Sequence, residues 1–398
     1  MTLLRYLAPL LLAGCGGSTP SAPDGGALDG SVPGADGGAV AEVVLGGCYS
    51  AHTMPVTFGA SQTFQLNVDT GSASLGVAET ACASCTTAGV TPLYAPGAGA
   101  TDLMKPVSSK FDTGELGWSG EAYRDVATIG GLAASVDLAA ITDQTQYFFD
   151  AFCDAKAGSV HSPYQGIIGF APDTYLVPGT TSWMTALAAT KTVPDVFALS
   201  LCHVGGRMWL GGYDEGALAA PVAWVPMNQQ SGYRVAWRGV GIGAKTVAFP
   251  VGTLGFTDSG GPGMIVPDAS FAQVASALAA DASIQSVFGA TFFSSTATGF
   301  ENCVTLADSP ASLDAKLPTL DLQLGPADAP VEVKLGATHS YLTYTYLGGD
   351  QVTYCQGLIA GGTSYGNLFY IGQSVMLDRV VVHDRANARM GFAPVKVS

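Results

Sequence analysis

The stretch "NVDTGSASLGV", residues 67 to 77, ends an apolar run on a carboxylate, Asp69, followed by Thr70, Gly71 and Ser72. A charge at the end of a buried strand is costly unless donors or a second acid surround it. The other half of the chain carries an acid in a similar setting: "LGFTDSGGPGMIVP" contains Asp258, Ser259 and Gly260. Asp69-Thr70-Gly71 is followed far downstream by Ile167-Ile168-Gly169, and Asp258-Ser259-Gly260 is followed at comparable spacing by Tyr370-Ile371-Gly372. The same ordered pair in both halves points to an internal duplication. Two carboxylates brought close together cannot both ionise readily, and they share one proton over an acidic pH range. Such a pair can activate a water as nucleophile and protonate a leaving amine, with no metal, cofactor or covalent intermediate. The proton belongs to the pair, so the two acids hold shared roles. Gly71 and Gly260 permit a tight turn that points backbone amides at the carboxylates.

The elements that must position these acids are mostly strands. Short period-two runs separated by Gly, Pro, Asp and Asn fill the chain, among them "TFQLNV", "DVFALSL", "RMWLGG", "VEVKLG" and "RVVVHD". Helical patterning is confined to "TTSWMTALAAT" near 180–190 and "PDASFAQVASALAADAS" near 267–283. The fold class is therefore all-β with a few short helices. At 398 residues the chain can form two domains, each with its own core. A composition 48% hydrophobic and 12% charged excludes a disordered chain. A net charge of −15 argues against a nucleic-acid partner, whose phosphates call for basic patches.

The N-terminus, "MTLLRYLAPLLLAGC", has one early base, an apolar stretch too short to span a bilayer, and small residues running into Cys15. It resembles the lipobox of bacterial lipoproteins. That resemblance implies a signal peptide over 1–14, cleavage before Cys15 and lipidation of its thiol. Gly16 follows, with no Asp there, so the expected location is the outer membrane or cell surface, with membrane contact through the lipid alone. Residues 15–42 are Gly, Ser, Pro, Ala and Asp with almost nothing to bury, and read as a lipidated, disordered tether. In an exported chain disulfides are expected, and the seven cysteines after Cys15 leave at least one thiol unpaired within a monomer. Cys82 and Cys85 are spaced for half a zinc site, but no second pair follows, so a small disulfide-closed loop is the better reading. Partners among Cys48, Cys153 and Cys202 are left open.

Beyond residue 45 the sequence resembles the pepsin-like aspartic peptidases. The resemblance rests on "MPVTFGASQTFQLNVDTGSASLGV", "YQGIIGFAP", "MWLGGYDEGALAAPVAWVPM", "LGFTDSGGPGMIVPDASF", "CVTLADSPASLDAKLPTLDLQL" and "FYIGQSVMLDRVVVHDRANARMGFAP", in the family's order. It implies a bilobal fold with the active-site cleft between two β-lobes, here 43–226 and 227–398, each supplying one catalytic aspartate, Asp69 and Asp258. It implies further that Thr70 and Ser259 brace the two active loops, and that the Ser72 hydroxyl bonds to Asp69. The family's C-lobe disulfide corresponds to Cys303–Cys355, a closure contributing on the order of 4 kcal/mol in the chain-entropy model. The implied activity is aspartic endopeptidase cleavage of protein or peptide substrates at acidic pH, by a monomer without cofactor.

Departures from the family pattern lie around the substrate. Gly76 stands where members usually carry a Trp that bonds to a Tyr on the flap hairpin. In the flap region "SSKFDTGELGWSGEAYRDVATIGG" the nearest aromatic to that Tyr is Phe111, and Trp118 or Tyr123 are the other candidates. Gly261 replaces a hydroxyl residue and Gln373 an Asp. The tether before residue 43 contains no Lys or Arg, so no basic pro-segment of the pepsin kind is expected. Two other readings compete. "TDSGGPGMI" with "CYSAHT" resembles chymotrypsin-like serine peptidases, with Ser259 as nucleophile and His52 as base, but the spacing is poor and Asp69 is left unexplained. A catalytically impaired binding or inhibitor protein of the same fold at the cell surface is the other.

Overall fold

The computed structural model describes residues 32–33, 39–49, 51–59, 61–111, 116–145, 150–155, 158–261, 263–293, 302–348, 351–361 and 369–396. The signal-peptide and Cys15 expectations, and most of the tether, lie outside the described residues, as does the side chain of Cys153.

Each half builds the same three-strand unit around its aspartate. In the first, the strand Gln62–Asp69 buries Phe64, Leu66 and Val68 while Gln65 stays exposed, as its alternation requires. It runs parallel to Gly166–Gly169, with Asp69 opposite Gly169. Gly166–Gly169 is in turn antiparallel to Leu75–Ala78, the strand that follows the active loop. In the second half, Leu254–Thr257 runs parallel to Phe369–Ile371, which is antiparallel to Met264–Pro267. The correspondence extends one strand outward: Leu75–Ala78 pairs in parallel with Leu132–Gln144, and Met264–Pro267 with Leu358–Gly361. The duplicated tripeptides thus have a physical cause. A Cβ on Gly169 would collide with the backbone of Ser72 and Ala73, and one on Gly372 with the carbonyls of Gly261 and Gly263. Only glycine lets the active loop fold down onto its neighbouring strand.

The two β-halves share a sheet. The chain's last strands, Arg379–Asp384 and Arg389–Pro394, pair with each other; the first lies against Val196–Leu201 and the second against Ala223–Asn228. Residue 226, after which the second lobe was expected to begin, falls inside Ala223–Asn228, and that strand also pairs with Arg234–Ile242. Apolar residues from both halves, including Val68, Phe170, Phe197, Tyr233, Val266 and Ile371, belong to one continuous core. The molecule is an all-β, bilobal structure whose halves are joined through strands from distant parts of the chain.

Helices occur where the 3.6-residue pattern places them. Trp183–Ala189 is capped by the Ser182 side chain, which accepts from the Thr185 N–H, and buries Trp183, Met184 and Leu187. Asp268–Ala279 follows Pro267 directly and buries Phe271, Val274, Ala275 and Leu278 along one face. The pattern read as running to 283 breaks at Ala280, and a separate helix, Ala282–Phe288, starts from the Asp281 cap. Ala83–Thr87 and Pro310–Lys316 are short helices without a sequence signal long enough to read. Cys82 and Cys85 are joined in a disulfide, which removes both thiolates as metal ligands. Cys303 and Cys355, 52 residues apart, are joined between the paired strands Cys303–Leu306 and Gln351–Gln356. Cys48 and Cys202 are also disulfide-bonded, and none of the described cysteines is a free thiol.

Candidate active site

Asp69 is the last residue of its strand and Asp258 the first after its own, so the duplicated units deliver both acids to the same place. Asp69 is buried, 5% exposed. Its Oδ1 accepts the Gly71 N–H at 2.7 Å and its Oδ2 accepts the Ser72 hydroxyl at 2.5 Å. Asp258 Oδ1 accepts the Gly260 N–H at 2.7 Å. The two carboxyl groups are in hydrogen-bonding contact with each other. A Cβ on Gly71 would lie within 3.0 Å of the Asp258 carboxylate, and one on Gly260 equally close to that of Asp69. Each loop's glycine is therefore the space into which the other loop's acid fits, a close approach no other residue permits.

Thr70 and Ser259 cross-link the loops. The Thr70 N–H donates to Ser259 Oγ at 3.0 Å, and the Ser259 N–H donates to Thr70 Oγ1 at 2.9 Å. The hydroxyls then pass their protons outward, Ser259 to the Val68 carbonyl at 2.8 Å and Thr70 to the Thr257 carbonyl at 3.4 Å. All of these groups are buried, so their polar atoms are satisfied by one another. Gln373 braces the second loop from behind. Its Nε2 donates to the Ser259 carbonyl at 2.6 Å and its backbone N–H to the Gly261 carbonyl at 2.9 Å. A neutral amide does here what needs only a donor.

Burial pushes the Asp258 carboxyl well above the usual carboxylate range, and the charge of Asp69 and the hydrogen bond between the two acids push it further. This holds although Asp258 keeps some solvent contact at its edge. Separating two negative charges across one hydrogen bond is too costly, so one proton stays on the pair well above the pH at which an isolated acid would lose it.

The flap residues are placed differently from the aspartates. Thr101–Phe111 and Leu116–Ile129 form a hairpin whose connection, 112–115, lies outside the described residues. Phe111 sits at its outer end opposite Leu116. Trp118 is only 4% exposed and packs with Ala51, Val107, Ile141 and Ile167, and its indole nitrogen has no hydrogen-bond partner. The Tyr123 hydroxyl faces Asp102 at 3.5 Å. Trp118 and Tyr123 therefore do not replace the missing flap tyrosine as hydrogen-bonding groups; Trp118 is a packing residue. On the strand Leu75–Ala78, a Cβ at Gly76 would meet Ile141 Cδ1 at 3.0 Å, so the side chains of this cluster already crowd the position where a Trp was expected.

The serine-nucleophile reading fails on geometry. The buried His52 ring hydrogen-bonds to the Cys202 carbonyl at 2.7 Å, and Ser259 Oγ is committed to Val68 and Thr70. The sequence reading names Tyr370 only as part of the duplicated tripeptide and gives it no place in the site, yet its hydroxyl faces the Asp258 carboxyl closely enough to interact with it. Its signal was the aromatic at a position where the first half has Ile167.

The comparisons with known proteins show the family. The family model for eukaryotic aspartyl protease matches residues 51–395. Among curated relatives, Pepsin-2B of Gadus morhua is 21% identical over 341 residues, covering 84% of this chain and 92% of its own. Pepsin A of Sus scrofa is 23% identical over 343 residues, covering 84% and 78%. Beta-secretase of Strongylocentrotus purpuratus is 24% identical over 374 residues, covering 83% and 64%. A match along nearly the whole chain, on a duplicated β-fold that joins two aspartates, leads to one conclusion: the chain belongs to the eukaryotic aspartyl protease family, pepsin-like hydrolases of the aspartic endopeptidase class.

Proposed function

We propose that Asp69 and Asp258 together hydrolyse peptide bonds of protein substrates at acidic pH. The observation that carries this is the contact between the two carboxyls, with Asp258 pushed well above the usual range by burial and by Asp69. In the singly protonated pair, the ionised carboxyl takes a proton from a water as it attacks the scissile carbonyl, and the protonated one stabilises the developing oxyanion. The proton taken from water then goes to the leaving amine as the carbon–nitrogen bond breaks. The Gly71, Ser72 and Gly260 donors hold the acids in place, and the Thr70–Ser259 cross-link keeps both loops at working distance.

Acid-dependent cleavage of a denatured protein, blocked by pepstatin and reduced about 10³-fold or more in Asp69→Ala, is the expected result. A folded protein that cleaves nothing between about pH 2 and 7, the span that covers the titration of such a pair, would instead favour the binding-protein reading. That reading draws its support from Gly261 and from the absence of a flap tyrosine hydrogen bond among the described residues.

The remaining features of this reading rest on the sequence: export, lipidation at Cys15, a cell-surface or outer-membrane location, two lobes divided near 226, a monomeric state and activity without a basic pro-segment. No helix among the described residues is long and apolar enough to cross a membrane. Mass spectrometry of the mature N-terminal peptide, carrying acyl groups on Cys15 and losing them in Cys15→Ala, tests the anchor.

A further inference from the structure

The two active loops repeat each other in backbone but not in side chains. Three residues after its aspartate the first loop has Ser72, whose hydroxyl donates to Asp69 Oδ2 at 2.5 Å. The second loop has Gly261 at that place, with no side chain to donate. On the adjoining strands the difference is reversed. Ile167, opposite Asn67, stands in the first half, and Tyr370, opposite Phe256, in the second. Asn67 and Phe256 each lie two residues before their aspartate, so Ile167 and Tyr370 occupy matching positions.

The phenol reaches into the space that the glycine leaves. A Cβ on Gly261 would fall onto the Tyr370 hydroxyl, with the ring Cζ 2.7 Å away. The Tyr370 backbone is held by strand pairing on both sides, opposite Phe256 on one neighbouring strand and Ile265 on the other. Its hydroxyl faces the Asp258 carboxyl closely enough to interact with it.

Resting on the reading of Asp69 and Asp258 as the working pair, we propose that Tyr370 is a positioning residue that gives Asp258, from the adjoining strand, the hydroxyl donor that Asp69 receives from Ser72 within its own loop. The hydroxyl comes from position 261 or from position 370, and the space at Gly261 admits one of them only.

A phenol suits this task. Burial and the charges of Asp258 and Asp69 push its own ionisation well above the ordinary tyrosine value, so it keeps its proton and can only donate to a carboxylate. The bond stabilises the ionised form of Asp258, against burial and the Asp69 charge, which oppose it. The other titratable groups here are Asp69 and Tyr49, whose hydroxyl accepts the Gly263 N–H at 2.8 Å. One strand further out, beyond Phe256, the charged group is Arg234, with its guanidinium 6.0 Å from the Phe256 ring centre; the Tyr370 ring lies 6.3 Å from Phe256 on centroids.

The test compares wild type with Tyr370→Phe, Tyr370→Leu and the double variant Tyr370→Leu/Gly261→Ser. Carboxyl titration by carbon-13 NMR of aspartate-labelled protein is the first readout, and the pH profile of peptide cleavage is the second. Loss of the donor moves the pair's titration, and the matching limb of the activity profile, upward by about one pH unit in Tyr370→Phe and Tyr370→Leu. The double variant returns both toward wild type, because the serine hydroxyl enters the vacated space. An unmoved titration in folded Tyr370→Phe, or a double variant that titrates like Tyr370→Leu, overturns the proposal. If wild type shows the coupled titration but cleaves nothing, the peptidase reading fails, and the NMR titrations alone decide the role of Tyr370.

Discussion

At the scale of the residue, the costly object is a pair of buried acids, and each contact around them lowers that cost. Backbone N–H groups of Gly71 and Gly260 and the Ser72 hydroxyl donate to the two carboxyls, and the Tyr370 hydroxyl faces Asp258. The glycines act by what they lack as well. Because a Cβ at Gly260 would lie within 3.0 Å of the Asp69 carboxylate, Gly260→Ala must push the acids apart. We expect a folded protein with kcat lowered about 100-fold or more, since misplacement of reacting groups by about an ångström carries a loss of that size. Steady-state kinetics with a peptide substrate, alongside a thermal melt to verify folding, measures it. A variant with wild-type kcat would mean that the loop relaxes without moving the acids.

At the scale of the element, the same three-strand unit is used twice, and each unit depends on one glycine where strand and loop meet, Gly169 and Gly372. The outer strands are secured in another way. Cys303–Leu306 has only four residues and pairs at one edge of a three-stranded sheet. Its disulfide to Cys355 limits the unfolded chain by a loop of 52 residues. Replacing both cysteines by alanine is expected to lower stability by about 4 kcal/mol, read from urea denaturation, with a larger m-value for the less constrained unfolded chain. A loss well under about 1 kcal/mol would mean that strand pairing alone holds this edge. The hairpin Thr101–Phe111/Leu116–Ile129 is packed near its outer end by Trp118, which joins Val107, Ile141 and Ile167 in one apolar cluster.

At the scale of the whole molecule, buried titratable groups set a pH window for stability. Burial holds His383 down to about 3 and His52 down to about 4, with the charge of Arg385 and of His203, respectively, acting in the same direction. Their pKa values in the fold lie below those in the unfolded chain, so the unfolded chain takes up protons first as the medium is acidified. The stability associated with neutral histidine is present above about pH 6.5 and is lost as pH falls through the folded values. Asp258 works the other way. Its folded value is raised, so between the ordinary carboxylate range and that value the native state holds the extra proton, and stability falls as pH rises. A fold with neutral buried histidines is thus destabilised on the acid side. His383→Leu should remove about 3 kcal/mol of that loss at pH 4, relative to its effect at pH 7. Chemical denaturation at both pH values gives the difference, in which the pH-independent loss of stacking on Phe197 cancels. An equal effect at the two pH values would contradict a neutral His383 in the fold.

The amino-acid sequence by itself determined the class of fold, the duplication and the two acids. Alternation of apolar residues is a local property, and Asp-x-Gly followed by an apolar pair and glycine is short enough to read twice in one chain. It also singled out Thr70, Ser72 and Ser259, because each lies one to three residues from an aspartate whose loop constrains it. Contacts between distant segments were decided by the tertiary structure. The last strands of the chain complete a sheet with Val196–Leu201 and Ala223–Asn228, a pairing between segments far apart in the chain. Trp118 turns inward to pack, and the phenol of Tyr370 enters the space of a missing side chain at Gly261. These depend on which surfaces meet and how much room is left between them, and no periodicity along one segment encodes that room.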